Sequence, residues 1–347
     1  MEQITRIGMD TSKSVFQLHG VNAAEEPILR KKLTRSRMIE FFKSQPPTVV
    51  GVEACGGSHH LAQLLGSFGH TVKLLSPHLV KPYVKRGKND AADAEALCEA
   101  MSRPTMRFVP AKSAEHRAAL MMIGMRNRLV NNRTQLTNAI RGYAMEFGIT
   151  IAAGPSRTEA LLEKIQADDA LPDLAHEIFD LHAREYRRLQ LEIEKLDDRL
   201  MAWHRLNECS RRLAQIPGVG PIGAALLMLK TPDPTLFRSG RDFAAWIGLT
   251  PRDHSTAGKV KLGGITRAGD QHLRSVLVVG ATSIIRHVRK LRGPNVNPWL
   301  LGLIERKKPK VVAVALANKM ARIAWKLMVT GEAYRKHSLV PPLANTA

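Results

Sequence analysis

Lys88-Asn89-Asp90-Ala91-Ala92-Asp93-Ala94-Glu95-Ala96-Leu97 reads as the start of an alanine-rich helix with two aspartates three residues apart. That spacing sets both carboxylates on one helix face. Like charges held there repel, and a first turn of alanines offers them little packing in return, so a cation shared with other acids accounts for the pair. A divalent metal is the first candidate. The competing reading is ordinary helix-start chemistry, with Asp90 as the cap and Asp93 favoured by the positive end of the helix dipole. The residues upstream weigh towards the metal.

There, Ile4 to Met9 and Val15 to Leu18 read as short strands around Asp10-Thr11-Ser12-Lys13, which sets Asp10 at the end of the first strand. A polar loop and a short helix near Met38 to Phe42 come next. Thr48-Val49-Val50-Gly51-Val52 is a buried-strand run that delivers Glu53 at its carboxyl end. A helix from His59 to Phe68, a strand from Thr71 to Leu75 and the stretch Pro77 to Val84 continue an α/β alternation. In open α/β sheets, functional groups collect beyond the carboxyl ends of the strands. Asp10, Glu53, Asp90 and Asp93 are therefore expected on one spot. Four carboxylates supply oxygen ligands for two Mg²⁺ ions roughly 4 Å apart, an arrangement that clamps the attacking and leaving oxygens of a phosphodiester.

Charge points the same way. The chain has 347 residues, with 52 Lys+Arg against 31 Asp+Glu, a net charge of +21. Such an imbalance calls for a polyanionic partner, nucleic acid first. Membrane surfaces are the other large polyanions, but Val311-Val312-Ala313-Val314-Ala315-Leu316-Ala317 is only core-helix length, and Met1 to Arg6 has no signal-peptide core. The widely spaced Cys55, Cys98 and Cys209 suggest neither a disulfide framework nor a zinc site, which fits a reducing cytoplasm.

From residue 113 to 147 the pattern is helical, with Arg117, Arg126, Arg128, Arg133 and Arg141 interleaved with asparagines. Such a helix suits phosphates and base edges, or is simply a solvated basic face. Beyond Pro172, Tyr186, Leu189, Ile193, Leu196, Leu200 and Trp203 form a heptad stripe. It is expected to pair with another helix, folding back within the chain or joining a second protomer in assembly. Gly218-Val219-Gly220 resembles the turn of a helix-hairpin-helix element, whose backbone N–H groups grip phosphate, and reads equally as a tight turn between core helices. The stretch Gly248 to Asp270 is glycine-punctuated and carries Arg252, Ser255, Lys259, Lys261 and Arg267, leading into a helix with Arg274. Glycines let such a loop approach a phosphate backbone closely while presenting a hydroxyl.

Gly8-Met9-Asp10-Thr11-Ser12-Lys13, Val52-Glu53-Ala54, Lys88 to Ala94, Ile216 to Pro221 and Gly248 to Arg274, taken in this order, resemble the DEDD transposases of bacterial insertion sequences. The resemblance spans nearly the whole chain. It implies an α/β domain of ribonuclease H-like (RuvC-like) fold over residues 1–150, including the basic helix 113–147. A helical coiled-coil arm would cover 151–207, a mainly helical serine-bearing transposase domain 208–335 and a tail 336–347. It implies Mg²⁺ at Asp10, Glu53, Asp90 and Asp93, and a serine nucleophile that attacks DNA and holds it as a phosphoserine. Family members often read Ser-Ser-Gly-Gly where this chain reads Ser255-Thr256-Ala257-Gly258; Ser255 is the serine available, and Thr256 stands at the second position. It further implies double-stranded donor and target DNA, a structured guide (bridge) RNA, a cytoplasmic, nucleoid-associated setting, and a dimer or tetramer in which one chain's serine completes another's metal site. Lys13, beside Asp10, joins the candidate nucleic-acid contacts. Three other readings compete: a Holliday-junction or structure-specific nuclease using water, a sugar kinase of the actin-like fold, and a non-catalytic nucleic-acid-binding protein. The kinase lacks its second glycine-rich segment here, and the binding protein leaves the ordered acids unexplained.

Overall fold

The computed structural model describes residues 3–11, 14–85, 89–152, 154, 157–231, 233–291 and 297–335. Lys13, Lys88 and the tail 336–347 lie outside the described residues. The chain divides into two compact units, Met1–Arg117 and Ala118–Ala347.

The first unit is built on a mixed six-stranded sheet of order β3-β2-β1-β4-β5-β6. Its strands are β1 (Arg6–Thr11), β2 (Val15–Val21), β3 (Pro27–Thr34), β4 (Val49–Glu53), β5 (Thr71–Leu75) and β6 (Phe108–Val109). β1, β2 and β3 form an antiparallel meander, β4 and β5 run parallel to β1, and β6 is antiparallel to β5. Alternation along the strands sends Ile7, Met9, Val50 and Val52 to one face, against Met38 and Phe42 of α1 (Arg35–Ser44) and Leu61 and Leu65 of α2 (Ser58–Ser67). After the short α3 (Pro77–Val80), the helix α4 (Asp90–Ala100) covers the other face.

Gly8 and Gly51 stand side by side in the register of β1 and β4, both on the face turned to α4. A Cβ on Gly8 would come within 2.1 Å of the Ala94 carbonyl oxygen and 2.5 Å of the Cys98 nitrogen. One on Gly51 would meet the Met101 sulfur at 2.8 Å. The missing side chains let helix backbone rest directly on strand backbone.

The exit from this unit is tied to α2. The backbone N–H of Lys112 donates to His59 Nδ1 at 3.2 Å, and Arg117 Nη2 donates to Gln63 Oε1 at 2.7 Å. Burial, then the Lys112 ammonium beside the ring, pushes the His59 pKa down to about 4. The unfolded chain therefore binds the His59 proton near pH 6.5 and the folded chain only near 4, so stability is lost as pH falls through that window. His59→Gln is expected to flatten thermal stability between pH 6.5 and 4. An unchanged pH profile would remove His59 from the acid response.

In the second unit, α5 (Ala114–Glu146) and α7 (Asp173–Leu206) form an antiparallel pair. Ile123 clusters with Leu200, Leu129 with Ile193 and Leu189, and Ile140 and Ala144 with Tyr186 and Ala183. Tyr143 stacks on His182 with ring centroids 5.7 Å apart, and α6 (Thr158–Gln166) closes that end of the pair with Leu161, Leu162 and Ile165. The heptad stripe is thus consumed within the chain. This corrects the expectation of an assembly surface at Leu189, Ile193 and Leu196, because α5 already offers the apolar partner face. The basic helix beyond Arg117 packs with α7 in the second unit, whereas the resemblance groups it with the first domain.

The rest of the unit is a helical bundle of α8 (Glu208–Leu213), α9 (Pro221–Lys230), α10 (Gly240–Ile247), α11 (Gln271–Leu291), α12 (Pro298–Arg306) and α13 (Pro309–Thr330). Its core joins Leu213, Leu227, Phe243, Leu277, Leu316 and Ala321. Between α10 and α11 the chain forms an exposed two-stranded hairpin of β7 (Pro251–Asp253) and β8 (Leu262–Ile265).

Candidate active site

α4 runs so that its middle meets Gly8 and its start meets the carboxyl end of β1. Two residues beyond Gly8, on the same face, stands Asp10. Carboxylate oxygens of Asp10, Asp90 and Asp93 lie within 4.8 Å of one another. Asn89 caps α4, its side chain accepting from the Ala91 N–H at 2.8 Å, so capping does not account for Asp90. Glu53 ends β4 two residues beyond Gly51. It stands outside the close trio, yet the charges of Asp10 and Asp93 reach it.

Burial, followed by the neighbouring aspartates, pushes the Asp10 carboxyl above its usual range; burial, then Asp10 and Asp93, does the same to Glu53. The neighbouring carboxylates thus make Asp10 and Glu53 costlier to ionise. A hard divalent cation with oxygen ligands fits that donor set, since it reverses the repulsion and satisfies the carboxylates together.

Ser255 sits on the exposed hairpin of the second unit. Its N–H donates to Asp253 Oδ1 at 2.8 Å, and its Oγ accepts from the Lys261 N–H at 3.0 Å. Hydrogen bonds from the Ser255 side chain and backbone hold the Asp253 carboxyl below the usual carboxylate range. Sequence reasoning passed over Asp253 as a partner of Ser255, although an acid two residues before a serine is the signature of a side-chain-closed turn. The tip turn has positive φ at Ala257 (46°) and Gly258 (79°), as a primed hairpin turn requires. The hairpin is pinched at its base, where a Cβ on Gly248 would come within 2.2 Å of the Ala268 carbonyl oxygen and one on Gly269 within 2.0 Å of that of Trp246.

Several basic residues expected to face nucleic acid are engaged by the chain itself. Arg126 makes a two-pronged ion pair with Asp197, Arg133 donates to Gln190, Arg141 donates to the Ile151 carbonyl, and Arg117 holds Gln63. Arg274 donates to the carbonyls of Ile247 at 2.9 Å and Ala268 at 2.6 Å, fastening the hairpin base. A guanidinium has five donors in a fixed fork, which suits it to joining helices as well as to binding phosphate. Gly218, at φ 79°, lies against Gly280 of α11, so close packing explains that glycine without a phosphate. Gly220 caps α9, with open space around it. Arg128, Arg252, Lys259, Lys261 and Arg267 lie at the surface.

A mixed sheet bearing an acidic cluster at its strand ends, followed by a helical unit, is the plan of a DEDD transposase. Residues 7–147 match the DEDD transposase model of the IS110 group, and residues 210–294 match the model described as "Transposase IS116/IS110/IS902 family". A Sinorhizobium fredii protein assigned as a transposase is 70% identical over 97% of this chain and 87% of its own length. A Pseudomonas aeruginosa protein assigned to the family 20 transposases is 44% identical over 96% and 99%. The transposase for insertion sequence element IS1328 of Yersinia enterocolitica is 37% identical over 97% and 100%. The chain belongs to the IS110 family of insertion-sequence transposases, enzymes of DNA transposition. No helix among the described residues is long and apolar enough to cross a membrane.

Proposed function

We propose that this transposase cuts and rejoins DNA through a phosphoserine at Ser255, with two Mg²⁺ ions held by Asp10, Glu53, Asp90 and Asp93, and that a structured guide RNA of its own element directs it. The observation that carries this reading is the convergence of the Asp10, Asp90 and Asp93 carboxylates on the strand-end side of the sheet. The strand order β3-β2-β1-β4-β5, antiparallel then parallel, supports a ribonuclease H-like domain. Bound divalent ions supply polarisation of the phosphate and stabilisation of the leaving oxygen.

The chain's own residues do the rest. The Asp253 carboxylate, accepting from the Ser255 side chain, and the Lys261 N–H, donating to Oγ, orient the Ser255 hydroxyl. As Ser255 Oγ bonds to phosphorus, the bond from phosphorus to the departing sugar oxygen breaks; the hydroxyl proton is lost to solvent and the sugar oxygen takes one up, leaving as a hydroxyl. Lys259, Lys261 and Arg252, exposed on the same hairpin, neutralise the approaching backbone. The net charge of +21 supports binding of both DNA and RNA. Serine and acid cluster are contributed by different protomers of a dimer or tetramer, assembled through surfaces other than the buried heptad stripe.

Covalent chemistry separates this reading from a water-using, structure-specific nuclease. Wild-type protein cleaving DNA is expected to give a denaturant-resistant protein–DNA band, and Ser255→Ala none. An adduct retained by the alanine variant would move the nucleophile to Thr256. Cleavage by wild type without any adduct would return the site to water.

A further inference from the structure

Beside the serine hairpin runs a groove of about 1110 Å³ that none of the chemistry above employs. α13 has two apolar faces. Val312, Leu316, Ala317, Met320 and Ala324 are buried in the bundle, while Val311, Val314, Ala315 and Ile323 line the groove. Gly263, Gly264 and Ile265 of β8 form the opposite wall, so the groove and Ser255 share one hairpin. Trp299 stands in it with Lys319 Nζ 4.4 Å from the ring centroid. Arg267, Lys310, Arg322 and Lys326 complete a cationic lining with no carboxylate among its described residues, although Glu332 lies 3.7 Å from the Lys326 ammonium. Arg267 holds φ at 58°, a conformation that costs an L-residue energy and that glycine would adopt freely.

We propose that this groove holds unpaired nucleotides, bases on its apolar floor and Trp299 and phosphates on its cationic rim; the identity of the strand as the one Ser255 attacks rests on the phosphoserine reading. The apolar lining selects the occupant. In a duplex the base faces are stacked on one another, so apolar walls find partners only in a single strand, while the rim matches its phosphates without reading sequence. An acidic amphipathic peptide would match floor and rim too. The position against the serine hairpin, in a chain of charge +21, favours nucleic acid.

The test uses the full chain bearing Asp10→Asn, without divalent metal, so that binding is read apart from cleavage. Fluorescence anisotropy with a labelled single-stranded oligonucleotide, and with the same sequence as duplex, is measured across salt concentrations. Lys319→Ala with Arg322→Ala is expected to weaken single-strand binding about tenfold and to lower the slope of log K against log salt by about 1.4, two contacts at ~0.7 each. Trp299→Ala is expected to weaken it about fivefold or more, with Trp299→Phe restoring most of the loss. Circular dichroism and melting establish that each variant is folded. The proposal is overturned if folded variants bind the single strand like their parent, or if duplex binding falls as far as single-strand binding. It is also overturned if the variants lose only a polyglutamate probe, which would assign the groove to a protein partner. The adduct band of the cleavage-competent chain tests the phosphoserine alone, so either reading can fail without the other.

Discussion

Asp10→Asn is expected to lower metal-dependent DNA cleavage by at least about a hundredfold while raising the melting temperature of the metal-free chain. Both effects have one origin. In the absence of metal, Asp10 is a desolvated carboxylate facing Asp90 and Asp93, and its raised pKa records that cost. Asparagine removes the charge and keeps the shape, so the folded state gains. With metal present the same charge is a ligand, and loss of an electrostatic contact to the reacting centre costs about 10²–10³ in rate. Differential scanning fluorimetry in chelator and then in increasing Mg²⁺ reads both halves, with Mg²⁺ stabilising wild type strongly and the variant weakly. Cleavage retained by Asp10→Asn, or a lowered melting point in chelator, would sink the account of the cluster.

The second large effect is expected at a residue with no side chain. In Gly8→Ala the added methyl would lie 2.1 Å from the Ala94 carbonyl and 2.5 Å from the Cys98 nitrogen, both backbone atoms of α4. No side-chain rotation relieves that clash; the helix must lift from the sheet. Overpacking of this kind costs about 1–3 kcal/mol. It also carries Asp90 and Asp93 away from Asp10, and a displacement of ~1 Å in a reacting constellation can cost about 10² in rate. Gly8→Ala should therefore lose both melting temperature and Mg²⁺ response, in contrast to Asp10→Asn. A variant with wild-type cleavage would show that α4 has slack there.

How much of this fold is legible in the sequence depends on where each residue finds its surroundings. β1, β4 and β5 are readable because central strands carry apolar runs, and Asp10 and Glu53 at the ends of β1 and β4 because those runs stop abruptly. β3 reads as a polar loop. It is an edge strand carrying Arg30, Lys31 and Lys32 with most of its residues exposed, so it has little apolar alternation to find. The β7–β8 hairpin is almost wholly exposed and is hidden for the same reason. The heptad stripe on α7 announces a buried face but not its partner, because periodicity records a need for burial and carries no address. The arginines of α5 are ambiguous in kind: a guanidinium that meets Asp197 has the same letter as one that meets phosphate. A further signal lies in Gly8-Met9-Asp10 and Gly51-Val52-Glu53. They repeat a glycine-x-acid pattern on adjacent parallel strands, with each glycine admitting the helix side of the sheet and each acid two residues later on the same face.

The left-handed backbone at Arg267 bears on how such a chain can change over generations. Glycine there would relieve a strain of about 1–2 kcal/mol, so selection for folding alone would drift the codon towards glycine. An arginine that outlasts such selection would do so because its charge is of use. A library randomised at position 267 and split into two pools, one enriched for thermal survival and one for transposition in cells, should diverge at this codon, the first towards glycine and the second towards arginine or lysine.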